Sequence, residues 1–403
     1  MNLSGIRSLE DLQVEGKTVF VRVDFNVPLD GKTITDDARI RAAIPTIQNL
    51  RDRGAVVVLG SHLGRPGGQA DPRFSLEPVA ERLAELLESE IIFTDDCVGD
   101  GVKKIVKDAT AGGVILLENL RFHKAETKND PLFAKELASL AGAYVNDAFG
   151  TSHRKHASTY AMVEHFPDDA VAMGALVKRE LEFLTPLLYK ARRPYVAIMG
   201  GAKVSDKIKV IENLLGRVDN LLIGGAMAYT FLAAQNIGVG KSLVETDKIP
   251  LAATLLDRAE KSNTKILLPV DHGVAPAFDS DQRTDTTGVH IPDDQMALDI
   301  GPETIDAFRA VIATAKTIIW NGPVGLFERD VFSDGTFAIA NAVADNTEAL
   351  TVIGGGDSAA AIAAAGRAQD VSHVSTGGGA SLEFLEGADL PGIAALRAGH
   401  RFT

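Results

Sequence analysis

The stretch that decides the fold class is YVAIMGGAKVSDKIKVIENLLGRVDNLLIGG (195–225). It contains two short apolar runs that each end in two glycines, with a segment of helical periodicity between them. Nearly continuous apolar runs are typical of strands buried on both faces, and a strand–helix–strand order predicts that the two strands are parallel. The stretch therefore predicts a βαβ unit.

Short apolar runs and amphipathic helical patterns alternate along the rest of the chain in the same way. Right-handed crossovers bring the carboxyl ends of parallel strands to one edge of a sheet, where ligands bind in such folds. The alternation predicts an α/β fold. The runs expected to form strands are TVFVRVDF (18–25), AVVVLGSH (55–62), VILLEN (114–119), YVNDAF (144–149), YVAIMGG (195–201), NLLIGG (220–225), KILLPVD (265–271), TIIWNG (317–322), LTVIGGG (350–356) and HVSTGGG (373–379).

The length and charge of the chain restrict its organisation and its partners. A chain of 403 residues exceeds the size at which one hydrophobic core usually stops growing, so two domains are expected. The 41 Lys and Arg residues oppose 54 Asp and Glu residues, a formal charge of −13. Nucleic acids and anionic membranes reward clustered positive charge, so both classes of partner are disfavoured.

The single cysteine, Cys97, indicates the compartment. It excludes an intrachain disulfide and argues against a cysteine-based zinc site or a secreted scaffold. The first twenty residues have no continuous apolar stretch of the signal-peptide kind, and no later segment reaches the ~18 apolar residues of a membrane span. We therefore expect a soluble, cytoplasmic protein.

The tips of the expected strands differ between the two halves of the chain. Tips in the first half carry charged and polar side chains, whereas tips in the second half end in glycine, which indicates two lobes with different ligands. The helical pattern GALVKRELEFLTPLL (174–188) lies between the halves and is expected to connect them. The glycine tips are Gly200–Gly201, Gly224–Gly225, Gly322, Gly354–Gly356 and Gly377–Gly379.

Cationic side chains cluster at the tips in the first half. Arg side chains match carboxylate and phosphate groups in geometry and charge, so the cluster predicts a site for a compact anion. Surface ion pairs with neighbouring Asp and Glu residues are the alternative. Pro45 follows Arg39 within a helical pattern, so that helix is expected either to kink or to begin later, which leaves the direction of Arg39 open. The cluster consists of Arg22, Arg39, His62, Arg65, Arg121 and Arg154.

Two lysines follow the first glycine tip of the second half. Lys203 and Lys207 are expected near the N-terminus of a helix with apolar residues at Ile208, Ile211 and Leu215. A phosphate chain would relieve the conflict of these cations with the helix dipole, and i, i+4 spacing lets both ammonium groups reach it. Two solvated lysines balanced by a nearby aspartate are the alternative.

The segment GGGDSAAAIAAAG (354–366) repeats the order of strand, glycine tip and helix. Glycine allows backbone N–H groups to approach phosphate oxygens, and a helix N-terminus orients them. Asp357 stands where the N-cap of this helix is expected. Beside a polyphosphate its carboxylate could also hold Mg²⁺.

Of three other motif classes, the Walker A loop is rejected and the other two are disfavoured. The Gly-Lys-Ser triplet in NIGVGKSLVE (236–245) lacks the first glycine of a Walker A loop, because Gln235 stands there. No dinucleotide-binding glycine fingerprint follows the first strand, which weakens the case for a dehydrogenase. The nine histidines show no metal-binding spacing, so each is expected to be structural or anion-binding.

The sequence resembles the phosphoglycerate kinase family along essentially its whole length. Several long motifs in order make the resemblance specific, which a single motif would not. One departure is Ser358, where many relatives have Thr, and it keeps the hydroxyl. The motifs are RVDFNVP (22–28), SHLGRP (61–66), LENLRF (117–122), NDAFGTSHR (146–154), GGAKVSDK (200–207), NGPVGLFE (321–328), GGGDS (354–358) and STGGGASLE (375–383).

The resemblance implies two Rossmann-like lobes, each a parallel sheet flanked by helices, joined by a hinge helix. The implied domains are a phosphoglycerate-binding domain of residues 1–172 with a returning tail of 387–403, an inter-domain helix of 173–188, and a nucleotide-binding domain of 189–386. The implied reaction is reversible phosphoryl transfer from 1,3-bisphosphoglycerate to ADP, which produces 3-phosphoglycerate and ATP with Mg²⁺. The protein would be a cytoplasmic monomer.

Carried over position by position, the motifs imply a residue set for each ligand. Arg39 and Lys203 would lie nearest the transferring phosphoryl group, and Asp357 would hold the metal. Lys207 would contact phosphate, and Glu328 would reach the ribose. The phosphoglycerate site would consist of Asp24, Phe25, Asn26, Arg39, His62, Leu63, Gly64, Arg65, Arg121 and Arg154, and the nucleotide site of Gly201, Lys207, Gly225, Glu328, Gly355, Gly356, Asp357 and Ser358.

Two other functions stay open at this stage. Another two-lobed nucleotide-dependent enzyme, such as a dehydrogenase, is possible because fold does not fix function. A catalytically silent binding protein is also possible, although Arg39, Lys203 and Asp357 are all present. A carboxylate nucleophile is already ionised at pH 7, so phosphoryl transfer to it needs cations and in-line positioning rather than a general base.

Overall fold

The structure is a computed structural model that describes residues 5–402. The chain forms two compact units: unit 1 extends to Glu182 and resumes at Asp389, and unit 2 is Phe183–Ala388. Each unit contains a six-stranded sheet flanked by helices, and every neighbouring pair of strands in both sheets is parallel. The predicted α/β fold class is confirmed.

The parallel sheet of unit 1 has its first strand near the centre. The strands are β1 (Thr18–Val23), β2 (Leu29–Asp30), β3 (Thr33–Ile34), β4 (Val56–Gly60), β5 (Ile92–Phe93), β6 (Val114–Leu116), β7 (Ala143–Asp147) and β8 (Val171–Met173). Their order in the sheet is β5-β6-β4-β1-β7-β8, while β2 and β3 form a separate antiparallel pair. The carboxyl ends of β1, β4, β6 and β7 therefore meet at one edge.

One helix of the first part of the chain, that beginning at Pro131, starts at a recognisable sequence signal. Asp130 precedes Pro131 and accepts hydrogen bonds from the N–H groups of Leu132 and Phe133, which is a typical N-cap. The first helix runs through Pro45, so the predicted later start is wrong. The helices are α1 (Ala38–Asp52), α2 (Glu77–Leu87), α3 (Asp100–Asp108), α4 (Lys124–Thr127), α5 (Pro131–Ala138) and α6 (Ala175–Tyr189).

The strands of unit 1 are apolar throughout because helices cover both faces of the sheet. Val19 and Val21 of β1 belong to one hydrophobic cluster, together with residues of α1 and α2. Phe20, between them, belongs to a second cluster with residues of α3 and α5. Alternate side chains of a strand point to opposite faces, so two cores follow from one continuous apolar run.

Unit 2 repeats the parallel sheet and adds a small antiparallel one. Its strands are β9 (Tyr195–Met199), β10 (Asn220–Ile223), β11 (Lys265–Leu267), β12 (His272–Ala275), β13 (Thr284–Asp285), β14 (Met296–Ile300), β15 (Thr317–Asn321), β16 (Leu350–Gly354) and β17 (His373–Val374). The parallel order is β11-β10-β9-β15-β16-β17, and β13-β12-β14 is antiparallel. The carboxyl ends of β9, β15 and β16 are adjacent.

The helices of unit 2 include the one expected in the opening stretch. The buried residues of that helix are Val210, Ile211 and Leu214, so the predicted apolar face of Ile208, Ile211 and Leu215 is wrong at two of three positions. The helices are α7 (Ile208–Leu214), α8 (Met227–Ala234), α9 (Ile249–Lys261), α10 (Pro302–Thr314), α11 (Asp334–Asp345), α12 (Gly356–Ala364) and α13 (Gly379–Leu385).

The long helix predicted at 174–188 is α6, and the boundary between the two units falls inside it. Unit 1 holds the beginning of α6 with side-chain oxygens. The N–H of Leu176 donates to Oδ1 of Asp147 at 2.8 Å, and the N–H of Ala175 donates to Oγ1 of Thr46 at 2.8 Å. The end of β7 and the middle of α1 therefore both fix the start of α6.

The C-terminal segment packs on unit 1. It contains the short helix α14 (Pro391–Ala394), and Gly392 makes two hydrogen bonds there. Its N–H donates to the carbonyl of Ser152 at 2.8 Å, and its carbonyl accepts from Nδ2 of Asn146 at 3.0 Å. The segment thereby lies against the residues that follow β7.

Each of the ten predicted apolar runs overlaps one of the strands of the two parallel sheets, although β7 begins one residue before its run. The prediction missed β5 and β8, which are two and three residues long, and the short antiparallel strands. Within residues 5–402, no helix combines the length and the apolar character that crossing a membrane requires.

Candidate active site

The segments after β1 and β4 are joined at the carboxyl edge of the first sheet. The N–H of Phe25 donates to Oγ of Ser61 at 2.8 Å, and the N–H of Gly64 donates to Oδ1 of Asn26 at 2.8 Å. Phe25 and Leu63 are buried. These two apolar side chains therefore support the segments from within the core.

Asp24 contacts two of the predicted ligand-binding residues. Its Oδ2 accepts a hydrogen bond from Nη1 of Arg39 at 2.9 Å, and its Oδ1 lies 3.8 Å from Nδ1 of His62. Arg39 is the second residue of α1, so the start of α1 at Ala38 directs it to the end of β1. About a third of the Arg39 side chain is exposed (36%), which leaves part of its guanidinium available to a ligand.

Arg22, at the end of β1, is fully buried, and its contact with His62 determines which ring nitrogen of that histidine carries the proton. Its Nε donates to Oγ of Ser158 at 2.8 Å, and its Nη2 lies 3.4 Å from Nδ1 of His62. A guanidinium only donates, so Nδ1 of His62 accepts and its Nε2 carries the proton. Burial, followed by the charges of Arg22 and Arg121, holds the pKa of His62 well below its usual value. His62 is thus a neutral hydrogen-bond donor at pH 7.

Arg121 is placed by the turn after β6. Its N–H donates to Oδ1 of Asn119 at 3.0 Å, and its Nη1 donates to the carbonyl of Gly64 at 2.8 Å. Its Nε is buried without a hydrogen-bond partner among residues 5–402. Burial, together with repulsion from Arg22 and Arg154, lowers the pKa of Arg121 to about 10.

The same positive charge acts on the histidines after β7. Burial, followed by the charges of Arg22 and Arg121, lowers the pKa of His156 to about 3. Burial and Arg154 also lower the pKa of His153. Groups that suppress one another's protonation in this way are stabilised by a negative charge placed among them. The edge is therefore suited to a strongly anionic ligand.

The arginines of the cluster differ in their partners. Arg65 and Arg154 are exposed, and Arg154 contacts Nε2 of His153 through its Nε at 3.0 Å. In the described part of the chain, neither forms an ion pair with a carboxylate. The alternative that these arginines only form ion pairs with neighbouring carboxylates therefore holds for Arg39, which pairs with Asp24. It does not hold for the other arginines.

In unit 2, Lys207 contacts a residue that the sequence analysis did not select. Its Nζ donates to Oδ1 of Asn321, at the end of β15. Burial lowers the pKa of Lys207, and the charges of Asp206 and Asp357 oppose this shift. Nδ2 of Asn321 is buried and has no hydrogen-bond partner within the described residues. The available signal was its place at the tip of a predicted strand.

Lys203 lies outside the helix on which it was expected to act. α7 begins at Ile208, so Lys203 is in the preceding bend, where it is exposed. The predicted i, i+4 relation to Lys207 is wrong, because that spacing brings two side chains together only within a helix. The loop after Gly201, rather than α7, determines where Lys203 can reach.

The glycines of the strand tips serve two purposes. A Cβ on Gly200 would lie 2.0 Å from the carbonyl oxygen of Pro323, and a Cβ on Gly225 would lie 2.7 Å from the backbone nitrogen of Gly201. Glycine is required at 200 and 225 because backbone packs against backbone there. In contrast, a Cβ on Gly201 or Gly356 would meet nothing within 4 Å. Those two positions leave open space beside the backbone, although the N–H of Gly201 already donates to the carbonyl of Pro323 at 2.9 Å.

The N-terminus of α12 differs from the prediction in one respect. The N-cap is Gly355, with φ +91°, and Asp357 is an exposed residue of the first turn, so the predicted capping role is wrong. Ser358 is buried, and its Oγ accepts a hydrogen bond from the N–H of Gly322 at 2.5 Å. Ser358 thus fixes the tip of β15. Glu328 is exposed in the turns that follow β15.

The sequence pattern of one protein family, described as "Phosphoglycerate kinase", matches residues 9–388. The chain belongs to the phosphoglycerate kinase family. It is a phosphotransferase with a carboxyl group as acceptor, as the resemblance implied.

Individual members of the phosphoglycerate kinase family match almost end to end. The phosphoglycerate kinase of Anaeromyxobacter sp. (strain Fw109-5) is 56% identical over 396 residues, which are 97% of this chain and 99% of that protein. That of Chloroherpeton thalassium (strain ATCC 35110 / GB-78) is 55% identical over 393 residues, 97% and 98% of the two chains. The solved structure of phosphoglycerate kinase from Coxiella burnetii has a TM-score of 0.89 at 39% identity, covering 98% of this chain and 100% of that one.

The low pKa of His156 predicts a loss of stability in acid. Between pH about 3 and about 6.5 the unfolded chain binds a proton that the folded chain does not, so stability is complete above 6.5 and falls as the pH decreases. His156→Gln should reduce the loss between pH 7.5 and pH 5 by on the order of 1–2 kcal/mol. Urea unfolding at both pH values measures this, with the exposed His165→Gln as control. An unchanged pH dependence in His156→Gln would contradict the assignment.

Proposed function

We propose that the carboxyl edge of the first sheet binds 3-phosphoglycerate or 1,3-bisphosphoglycerate, and that the edge of the second sheet binds ADP or ATP. The observation that carries this proposal is that Arg65, Arg121 and Arg154 of this edge form no ion pair with a carboxylate in the described part of the chain, while Nη1 of Arg121 donates to the carbonyl of Gly64. Such a group favours an anion with more than one negative charge. The ligand of the family satisfies that requirement with its phosphate and carboxylate groups.

We propose that positively charged groups and neutral hydrogen-bond donors bind the phosphoglycerate together. Arg65, Arg121 and Arg154 supply guanidinium groups, and His62 supplies a neutral Nε2–H donor. Asn26 holds Gly64 and thereby the loop that carries Arg65. Asp24 holds Arg39 by a hydrogen bond, so that one guanidinium is already oriented before a ligand arrives.

The transfer step needs no base from the protein. A carboxylate is ionised at pH 7, so the protein has to align it with the phosphoryl group and stabilise charge on the equatorial oxygens. Arg39 is proposed to do this from unit 1 and Lys203 from unit 2. On the nucleotide, Lys207 would contact phosphate and Glu328 the ribose.

The residues at the nucleotide edge suit Mg²⁺ bound to a nucleotide. Mg²⁺ in nucleotide sites commonly takes one or two carboxylates together with phosphate oxygens and water. Asp357 offers one exposed carboxylate beside the accessible backbone of Gly356, so it is the residue proposed to hold the cation. When bound, the cation neutralises charge on the phosphates. Gly355 and Gly356 would contribute N–H groups to the same phosphates.

The remaining proposals concern organisation. The functional domains are proposed to be residues 1–172 with 387–403 for phosphoglycerate and 189–386 for nucleotide, with 173–188 as the connector. The protein is proposed to act as a cytoplasmic monomer in glycolysis and gluconeogenesis. The test of the function as a whole is a coupled assay of ATP formation from 1,3-bisphosphoglycerate and ADP. Absence of ATP formation, or a fluorescence response to NADH, would favour the alternatives.

Lys203→Ala should lower kcat by on the order of 10²- to 10³-fold while the Kd for nucleotide changes little, because the proposed interaction forms with the phosphoryl group in flight. Steady-state kinetics and nucleotide titration measure the two quantities. Lys209→Ala, at an exposed lysine of α7, is the matched control and should retain kcat. Normal kcat with weakened nucleotide binding in Lys203→Ala would exclude a role of Lys203 in the transfer step.

Asp357→Asn should weaken Mg-ADP binding and shift the Mg²⁺ dependence of activity to higher concentration, since an amide is a poorer ligand for Mg²⁺. Isothermal titration with Mg-ADP measures the affinity. Asp334→Asn replaces an exposed acidic residue in the first turn of α11 and controls for the loss of a helix-dipole interaction. Unchanged affinity and Mg²⁺ dependence in Asp357→Asn would exclude a metal-binding role.

Both ligands together should shift the protein to a more compact state. Transfer requires reacting atoms ~3 to 3.5 Å apart, while each ligand alone is proposed to contact mainly one unit. Rotation would be absorbed in the connector and near 200–203 and 377–379, where Gly201 and Gly378 have positive φ. Small-angle scattering should show a smaller radius of gyration with 3-phosphoglycerate and Mg-nucleotide together than with either alone. One common radius in all states, including the free protein, would exclude hinge closure.

A further inference from the structure

A second group of chemically active side chains lies at the outer end of the first sheet. Asp96 and Cys97 follow β5, and His123 follows the 3-10 turn after β6. β5 and β6 are parallel neighbours, so the two loops emerge at the same edge. One ligand atom from each residue lies within 4.8 Å of the other two. The sequence showed no metal-binding spacing because the residues come from two separate segments.

Hydrogen bonds and ring stacking already orient these side chains. Nε2 of His123 lies 2.7 Å from Oδ1 of Asp96, and its ring stacks on Phe133 with 4.9 Å between ring centroids. The N–H of Cys97 donates to the same Oδ1 at 2.6 Å, and its Sγ donates to the carbonyl of Glu118 at 2.9 Å. The three groups therefore converge before any ligand binds.

We propose that Asp96, Cys97 and His123 form a binding site for a single borderline or soft divalent cation such as Zn²⁺. Thiolate, imidazole and carboxylate are all ligands of Zn²⁺, whereas Mg²⁺ prefers oxygen ligands alone. Ligand atoms around a tetrahedral zinc lie roughly 3.3–3.6 Å apart. Atoms already within 4.8 Å reach that spacing through small side-chain rotations. A water molecule would fill the fourth position.

Binding of the cation would release one proton and move another within the ring of His123. The Cys97 thiol releases its proton to solvent, and the His123 proton moves from Nε2 to Nδ1, so that the Nε2 lone pair turns from Asp96 to the metal. The thiolate and the carboxylate carry two negative charges, which neutralise a divalent cation. The site needs no oxidant or further reactant.

The exposure of the three residues provides a route for the cation. Cys97 is fully buried, whereas the side chains of Asp96 and His123 are 51% and 31% exposed. A cation would enter between the side chains of Asp96 and His123, and Sγ of Cys97 would bind it from the interior of unit 1. Bound there, it would join the loop after β5 to the loop after β6 and stabilise unit 1.

Titration of the nucleotide-free protein with Co²⁺ tests the proposal. A cobalt–thiolate bond produces a sulfur-to-cobalt charge-transfer band in the near ultraviolet, and added Zn²⁺ should abolish it. Asp96→Asn and His123→Ala should each weaken Co²⁺ binding about 100-fold or more, since even supporting residues of metal sites contribute 10- to 100-fold. His165→Ala removes an exposed histidine of the same unit and should leave the affinity unchanged.

The outcomes distinguish this proposal from the proposed phosphoryl transfer. Absence of the charge-transfer band, or full Co²⁺ affinity in both Asp96→Asn and His123→Ala, overturns the metal site and leaves the kinase assay unaffected. These two variants change partly exposed side chains, so their folding can be verified by circular dichroism. Cys97→Ser is the additional variant, and loss of the band with an unchanged circular dichroism spectrum supports the thiolate as a ligand.

Discussion

Repulsion between the buried Arg22 and the half-buried Arg121 at the carboxyl edge of the first sheet is the constraint on which the properties of that edge depend. Arg22 is fully buried, and together with burial it lowers the pKa of Arg121 and of two histidines. Parallel strands bring these groups together, because the ends of β1, β4, β6 and β7 meet at one edge. Buried charge is costly even where carboxylates oppose it, as Glu126 and Asp24 do at Arg121, so the two cores on the faces of the sheet have to offset that cost. The packing of unit 1 thus sustains an arrangement that an anionic ligand would stabilise further.

Unit 2 is suited to an anionic ligand through its backbone rather than through cationic side chains. Its strand tips carry few cations, and Gly200 and Gly225 allow the backbone to pack closely between the ends of β9, β10 and β15. The backbone at Gly201 and at Gly356, the first residue of α12, faces open space. Backbone N–H groups and a helix dipole bind phosphate without a large desolvation penalty in the free protein. The two sheets have the same architecture, but the edge of the first is suited to an anionic ligand through its side chains and the edge of the second through its backbone.

The sequence predicts those features that a short segment determines by itself. Continuous apolar runs mark buried parallel strands, and residues directly after them lie at the sheet edge, which locates His62 and Arg121 without any structure. The direction of Arg39 depends on the start of α1 at Ala38, which the sequence left open. Helix starts are different, because tertiary contacts decide them. The bend before α7 is held by Glu245, whose carboxylate accepts from the N–H and the hydroxyl of Ser205, and so Lys203 stays outside the helix. Asp357 lies two residues after the N-cap at which it was expected, since Gly355 takes that position. Contacts between distant segments, such as Lys207 with Asn321, have no local signature at all.

The neutral histidines show how binding and stability are coupled in unit 1. His62 is a neutral donor through Nε2, because Arg22 contacts Nδ1 and because burial and the surrounding cations hold the pKa of the ring well below its usual value. An anion placed among these groups raises the pKa of each histidine toward its ordinary value, so ligand binding and proton uptake are linked. The same anion stabilises the folded unit by mass action, most strongly where repulsion in the free protein was greatest. Affinity for a compact polyanion and instability of the empty site therefore arise from one arrangement of charge, and a substitution that relieves the repulsion also removes the driving force for binding.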